Sequence, residues 1–171
     1  LMVLGRLRVT LPAQKDDPTQ VEDSGAGDQA KKQDTPKIKL QLDSLGIFNF
    51  GTGDISLDAY LYDSTIGPFT LTGGMALRAS FGAHPLFLLS VGGFHPAFQA
   101  PAGFPSIERV ALGLHKKESG VEVRLQLAAY FALTSNTVQF GAHLDLYVHV
   151  WEIEIVGLLG FDALIQFQPF G

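Results

Sequence analysis

The sequence predicts an all-β protein: a long antiparallel meander sheet of amphipathic strands, arranged as a sandwich or as a curved open sheet. Three observations predict this fold. Apolar and polar residues alternate with a period of two over most of the chain, which is the period of a strand. The 19 glycines are spread between apolar runs, as expected for many tight turns. No segment of useful length has the period of a helix. A closed barrel is the less favoured arrangement of the same strands.

Composition limits the possible functions. A chain of 171 residues is long enough for one domain with a real core, and the absence of cysteine excludes disulfides and thiol redox chemistry. The net charge is −5 with only 12 Lys and Arg residues, which argues against nucleic acid as a partner. No stretch approaches the roughly 18 apolar residues of a membrane-spanning helix, and no signal peptide is recognisable. The start at Leu1 suggests a piece of a longer protein.

The pattern divides the chain into three segments. Residues 1–11 predict a short N-terminal strand, and residues 37–171 predict the antiparallel β domain. Residues 12–36, between them, contain almost no large apolar side chains. Such a composition does not bury enough apolar surface to offset the entropy of ordering, so we expect a solvated, flexible polar loop there.

Alternation places the first strands of the β domain in order. Apolar residues occupy every second position from Ile38, again from Ile55 and again from Phe69. The turns between these strands are predicted at residues 51–54, 67–68 and 82–85. A further strand is expected from Leu86 to about residue 94. The stretch 95–105 contains three prolines and predicts a loop held by aromatic side chains.

Residues 107–167 predict a four-stranded meander joined by three hairpins. A two-residue turn at Ser135-Asn136 sets apolar residues opposite apolar residues along a whole hairpin. Its pairs are Leu133–Val138, Phe131–Phe140, Ala129–Ala142, Leu127–Leu144 and Leu125–Leu146. The other two turns, expected at 117–120 and 150–151, give the pairs Leu114–Val123, Leu112–Leu125, Val148–Ile153 and Leu146–Ile155. Because a one-residue slip would turn each strand over, the agreement of the three registers favours the meander.

The predicted strands are about 10–16 residues long and share one continuous apolar face. A second sheet, a lipid phase or an apolar ligand would each bury that face. If the sheet is curved, its concave side would hold acyl chains. The residues expected to line such a groove are Phe69, Leu71, Met75, Leu77, Leu125, Leu127, Leu144 and Leu146.

Polar side chains on the other face of the meander form one candidate site. In the predicted register, His115, Glu122, His149 and Glu152 fall in one cross-strand row. Two imidazoles and two carboxylates are a donor set suited to zinc or a similar metal, or to acid–base chemistry. Cross-strand charge pairs on a solvated face are the simpler interpretation, because a row of four residues is too long for all to reach one ion. We therefore expect no cofactor.

Three stretches together resemble a region of large, uncharacterised bacterial proteins that is grouped as a domain of unknown function. These stretches are Ser90–Phe98, Tyr130–Ala142 and Leu159–Phe170, and the resemblance covers roughly residues 37–170. It implies that the chain is a segment of a longer protein with several regions. It implies no activity and no catalytic residue. Within the stretches, Gly92-Gly93 allow a close backbone approach and Asn136 tolerates a turn.

Three functions remain open. The first is a non-enzymatic structural or interaction module whose apolar face packs on a second sheet, on other segments of the same protein or on another copy. The second is a carrier of lipid or another apolar ligand, and the third is an outer-membrane barrel. No enzyme is expected, because the sequence contains neither a Gly-x-Ser-x-Gly elbow nor a phosphate-binding loop motif.

Overall fold

The computed structural model describes residues 1–11 and 38–168, so the predicted polar loop at 12–36 lies outside the described residues. The described ranges contain nine strands and no helix. The strands are β1 Met2–Leu11, β2 Ile38–Asn49, β3 Asp54–Ile66, β4 Phe69–Ser80, β5 Leu86–Val91, β6 Val110–Glu118, β7 Val121–Thr134, β8 Thr137–Val150 and β9 Ile153–Gln166. All pairings are antiparallel within one sheet, which confirms the predicted all-β antiparallel fold. In these ranges, accordingly, no helix is long and apolar enough to cross a membrane.

Two short strands share one position in the sheet. The strand order is β1-β2-β3-β4-β5-β7-β8-β9, and β6 also pairs with both β4 and β7. β5 pairs with residues 75–80 of β4, whereas β6 pairs with residues 70–72 of the same strand. β5 and β6 are therefore the two halves of one interrupted strand. Residues 92–109, which we call the excursion, leave the sheet between the two halves and return to it.

The register defines two faces, because directly opposite residues project to the same side of a sheet. The side that carries Leu127 and Leu144 is here called the apolar face, since each of the eight strand places in the sheet contributes large apolar side chains to it. Its larger residues include Val3, Leu7, Leu42, Phe48, Leu57, Leu61, Leu71, Met75, Leu77, Leu89, Leu112, Leu114, Leu125, Phe131, Phe140, Leu146, Ile155, Leu159, Phe161 and Ile165.

The excursion packs on the opposite side, here called the covered face. The guanidinium carbon of Arg109 lies 3.9 Å from the centre of the Tyr130 ring. The backbone N–H of His95 donates to Oε1 of Gln139 at 3.0 Å. Beneath the excursion, Ala76, Ser90, Ala132 and Gln139 are fully buried. The core of the described structure is therefore small and partly polar, and most of it lies under the excursion.

One predicted hairpin register is confirmed and two are corrected. The five pairs around Ser135-Asn136 are as predicted. The other two turns lie at Ser119-Gly120 and Trp151-Glu152, so Leu114 pairs with Leu125, Leu112 with Leu127, Val148 with Ile155 and Leu146 with Gly157. Ser119 and Gly120 both have positive φ, at 45° and 83°, which is the backbone twist that two-residue hairpins prefer. Trp151 also takes a positive φ of 53°, which is uncommon for an aromatic residue and conceals the turn in the sequence.

The interrupted strand depends on Gly92. Its φ is +73°, and a Cβ there would lie 2.4 Å from the Ala129 carbonyl oxygen and 2.9 Å from the Val110 backbone nitrogen. Gly103 is a matched control, because its φ is +84° and no heavy atom lies within 4 Å of a Cβ at that site. We predict that Gly92→Ala lowers the free energy of unfolding by about 3 kcal/mol and Gly103→Ala by about 1 kcal/mol. Denaturant unfolding measures both, and equal losses would contradict the close approach at Gly92.

Candidate functional site

All eight residues predicted to line an apolar groove lie on the apolar face. Phe69, Leu71, Met75 and Leu77 are on β4, and the other four face each other across β7 and β8. Leu127 is 41% exposed, and the other seven are half-buried. The two groups are separated by the position that β5 and β6 share. Ligand binding by these residues stays a prediction.

The apolar face contains a shallow depression rather than a deep groove at the point where the two half-strands meet. Its volume is about 140 Å³, and its lining residues include Leu42, Leu61, Met75, Val91 and Val110. Sites for drug-sized ligands are typically about 300–1,000 Å³. Of the eight predicted residues, only Met75 lines this depression. The apolar surface is therefore broad and has little enclosed volume.

The predicted row of metal ligands is not formed. His149 does face Glu122, but the β6 residue opposite Glu122 is Lys117, while His115 faces Arg124; Glu152 lies in the turn after β8. The cause is the two-residue shift of both outer hairpins, which keeps each side chain on its face but moves it along the strand direction into the next cross-strand row. Within residues 1–11 and 38–168, no group of three or more His, Asp or Glu side chains is placed to hold a metal ion.

Glu122 is instead the centre of a charge cluster. Its carboxylate accepts from Arg124 Nε at 2.7 Å, and lies 3.1 Å from His115 Nε2 and 3.6 Å from Lys117 Nζ. Hydrogen bonding to Arg124 and, secondarily, to His115 lowers the pKa of Glu122. The partner side chains are more than half exposed, so these pairs contribute little to stability. The simpler interpretation, cross-strand charge pairing, describes this geometry.

The charge cluster borders a groove on the covered face of β6–β9. The groove has a volume of about 530 Å³, and its lining includes His115, Arg124, Asp145, Tyr147 and Leu158. Arg124 lies over the Tyr147 ring at 4.8 Å, so two of these groups are already engaged with each other. The wall formed by β9 is apolar.

The three stretches that carry the family resemblance meet elsewhere on the covered face. Tyr130 donates its hydroxyl proton to Asp162 at 2.8 Å, and His143 Nε2 lies 3.0 Å from the same carboxylate oxygen. Two glycines make room for these side chains. A Cβ on Gly141 would lie 2.5 Å from the Tyr130 ring, and a Cβ on Gly160 would lie 2.5 Å from His143 Nδ1.

The same region fastens the excursion to the sheet. Arg109 donates to the carbonyl oxygens of Gly92 and Phe94, both at 2.7 Å, while it stacks on Tyr130. Gln139 accepts from the His95 N–H and donates to Thr137 Oγ1 at 2.9 Å. We call the group His95, Arg109, Tyr130, Gln139, His143 and Asp162 the signature cluster.

The electrostatics of the signature cluster favour packing over proton transfer. Burial, together with the hydrogen bond to Asp162, raises the pKa of Tyr130 to about 12. The phenol therefore keeps its proton at neutral pH and acts as a donor. Hydrogen bonds from His143 and Tyr130 lower the pKa of Asp162, which keeps it a charged acceptor.

Sequence reasoning missed the signature cluster, although one signal was present. The predicted hairpin at Ser135-Asn136 already sets Tyr130 opposite Gly141, and a large aromatic residue beside a glycine indicates that the ring lies over the neighbouring strand. The pairing of His143 with Gly160 repeats this signal, but it needed the corrected register of β9.

Asp162 predicts a pH dependence of stability. Because its pKa in the folded chain is below the ordinary 3.8, its charged form stabilises the fold above that pH, and the contribution is lost as the pH falls through the lowered value. We predict that Asp162→Asn is less stable than the parent chain at neutral pH and that this difference shrinks below a pH of about 4. Urea unfolding at several pH values measures it. Asp145→Asn, an exposed carboxylate on the same face, controls for the loss of one charge. A difference that is constant with pH would contradict the hydrogen-bonded role.

Comparison with known proteins adds a family but no activity. No curated protein and no solved structure matches the chain. One family model matches residues 1–171, and its description is a family of unknown function, DUF6603. The match extends through β1 and through all three signature stretches. The chain therefore belongs to the DUF6603 family of unknown function.

Proposed function

We propose that the chain is a non-enzymatic β-sheet module, a segment of a large bacterial protein, whose apolar face packs against further protein structure. One observation carries the proposal. Each of the eight strand places in the sheet contributes large apolar side chains to the same face, and no described residue forms a second layer over them. Antiparallel sheets usually bury such a face on a core and leave the polar one solvated. In this chain the excursion packs on part of the opposite face instead.

The size of the apolar face supports this proposal. Eight strand positions about 4.8 Å apart, with strands near 12 residues long, give a face of roughly 35 Å by 40 Å. The largest apolar patch on a typical soluble monomer is about 300–600 Å², and a standard protein interface buries about 800 Å² on each partner. The apolar face is large enough to serve as a whole interface.

The exposure of individual side chains points the same way. Phe131 is 42% exposed and Phe140 is 38% exposed, although they face each other on two interior strands, β7 and β8, rather than on an edge strand. Exposed phenylalanines on interior strands lack apolar contacts that normally stabilise a sheet. A covering layer of protein would restore those contacts.

The runner-up is a module that binds a lipid or another apolar ligand along a hydrophobic β groove. The depression of about 140 Å³ where the two half-strands meet favours it. A single acyl chain would lie along this depression and cover only part of the face. A layer of protein would cover the whole apolar face, which is why we place the interaction module first.

The proposal makes a direct prediction for the 171-residue chain. At micromolar concentration it binds a hydrophobic dye and self-associates through the apolar face. Leu127→Lys with Leu144→Lys places two charges on a facing pair of that face. We predict that this variant binds at least fivefold less dye and sediments as a smaller species.

The matched control places the same change of charge on the other face of the same strands. Gln126→Lys with Asp145→Asn also raises the net charge by two at a facing pair, by adding one positive charge and removing one negative charge, and both residues are exposed. This variant is expected to behave like the parent chain. Equal loss in both variants, or a parent chain that neither binds dye nor associates, would overturn the proposal. Phospholipid that co-purifies with the parent chain, seen by native mass spectrometry and lost in the lysine variant, would favour the runner-up.

A further inference from the structure

We infer that the cleft between the excursion and strands β3–β5 binds a small organic cation, an ammonium group attached to an apolar body. The cleft lies on the covered face, so this inference is independent of what covers the apolar face. Its floor is formed by β3, β4 and β5, and each of these strands has a neighbour on both sides in the sheet. Among the described residues that line the cleft, none belongs to β1 or β9.

The sheet and the excursion form the cleft together. Its floor consists of two neighbouring cross-strand rows, which are Asp54, Ser80 and Leu86 and then Ser56, Arg78 and Leu88. Residues 101–104 of the excursion line its other side. The volume is about 360 Å³, which lies within the range of about 300–1,000 Å³ that is typical of ligand sites. The cleft is therefore large enough for a small organic molecule.

The arginine in the cleft is already neutralised. Arg78 Nη1 donates to Asp58 Oδ1 at 2.7 Å, and Nη2 donates to Oδ2 of the same carboxylate at 3.0 Å. The side chains of this pair are only 22% and 23% exposed, and the guanidinium carbon lies 5.5 Å from the centre of the Phe104 ring. Such a bidentate pair is a strong and specific interaction. An anionic ligand would have to displace Asp58, so this chemistry disfavours an anion.

The carboxylate of Asp54 gives the cleft its net charge. The Thr52 hydroxyl donates to Asp54 Oδ2, and hydrogen bonds from Thr52 and Ser80 lower the pKa of Asp54, so it is charged at neutral pH. A carboxylate has about four lone-pair positions, so two hydroxyl donors leave room for a further donor. Among the described lining residues, Arg78 is the one cation, and Asp58 neutralises it. One negative charge in the cleft is therefore uncompensated.

Apolar groups stand beside this charge. Leu88 is 2% exposed at the floor, Leu86 is 43% exposed, and Phe104 and Pro101 belong to the side formed by the excursion. A cation attached to a hydrocarbon body satisfies both features, because its N–H groups donate to Asp54 while its body buries apolar surface against Leu86 and Phe104. An inorganic cation would leave the apolar groups exposed, and a neutral hydrocarbon would leave the carboxylate without a donor.

Two probes of the same shape test the recognition of charge on the parent chain. Benzylammonium has the proposed chemistry, and benzyl alcohol has the same apolar body without the charge. Each is titrated into the 171-residue chain at low salt and followed by ligand-detected NMR. We expect saturable binding of benzylammonium with a Kd of about 10 mM or below. Benzyl alcohol is expected to bind about fivefold more weakly, and added salt is expected to remove the difference.

Variants locate the binding site. Asp54→Asn removes the charge at an exposed position and keeps the shape of the side chain. We expect it to weaken benzylammonium binding about fivefold. Its matched control is Asp145→Asn, an exposed carboxylate on the same face that does not line the cleft, which is expected to leave binding unchanged. Leu86→Ser removes apolar surface from the cleft and is expected to weaken binding about threefold. Circular dichroism checks that each variant is folded.

Four results would overturn the inference. Absence of saturable benzylammonium binding up to about 50 mM would exclude a site of the expected affinity. Equal affinity for benzyl alcohol would show that apolar surface alone takes up the probe. Equal losses in Asp54→Asn and Asp145→Asn would indicate general attraction to a negatively charged protein. Unchanged binding in Leu86→Ser would exclude the apolar contact in the cleft.

Discussion

The stack of Arg109 on Tyr130 is the interaction on which the layering of this sheet depends. The guanidinium lies 3.9 Å from the ring centre and also binds two carbonyl oxygens at the start of the excursion. It thereby fixes residues 92–109 to one face. A sheet needs a second layer on at least one side to bury a core, and the excursion is the only second layer among the described residues. The largest fully buried side chains, Ser90 and Gln139, lie under it.

Because the excursion lies on one face of the sheet, the side chains of the apolar face remain exposed. The excursion packs on the face that carries Gln139 and Ser90, so these two side chains are fully buried. Phe131 and Phe140 project to the opposite, apolar face and are exposed. Burying Gln139 is possible because its side chain bonds to the His95 N–H and to Thr137, whereas the Ser90 hydroxyl is buried without a hydrogen-bond partner among the described residues. The apolar face keeps its exposed apolar surface, and burying that surface under another layer would stabilise the structure. The proposed function follows from this arrangement, in which the excursion lies on one face and the apolar face is left exposed.

The fold class and one hairpin were predictable from the sequence, and the reason is the period of two. Alternation assigns each side chain to a face, and the apolar pairs around Ser135-Asn136 determined a register that the structure confirms. A shift of two residues keeps every side chain on its face, so alternation did not detect the errors at Ser119-Gly120 and Trp151-Glu152. The metal row depended on those two registers. The excursion and the signature cluster depend on packing between distant segments, which no local period encodes.

One face of the sheet is covered by the excursion and the other is open, and the adjacent residues Tyr130 and Phe131 report on the two faces separately. Tyr130 is 4% exposed under the excursion, and Phe131 is 42% exposed on the apolar face. Hydroxyl-radical footprinting of the dilute, monomeric chain, read by mass spectrometry and corrected for intrinsic reactivity, measures the solvent access of each. We predict strong oxidation of Phe131 and protection of Tyr130. Protection of Phe131 with oxidation of Tyr130 would contradict it.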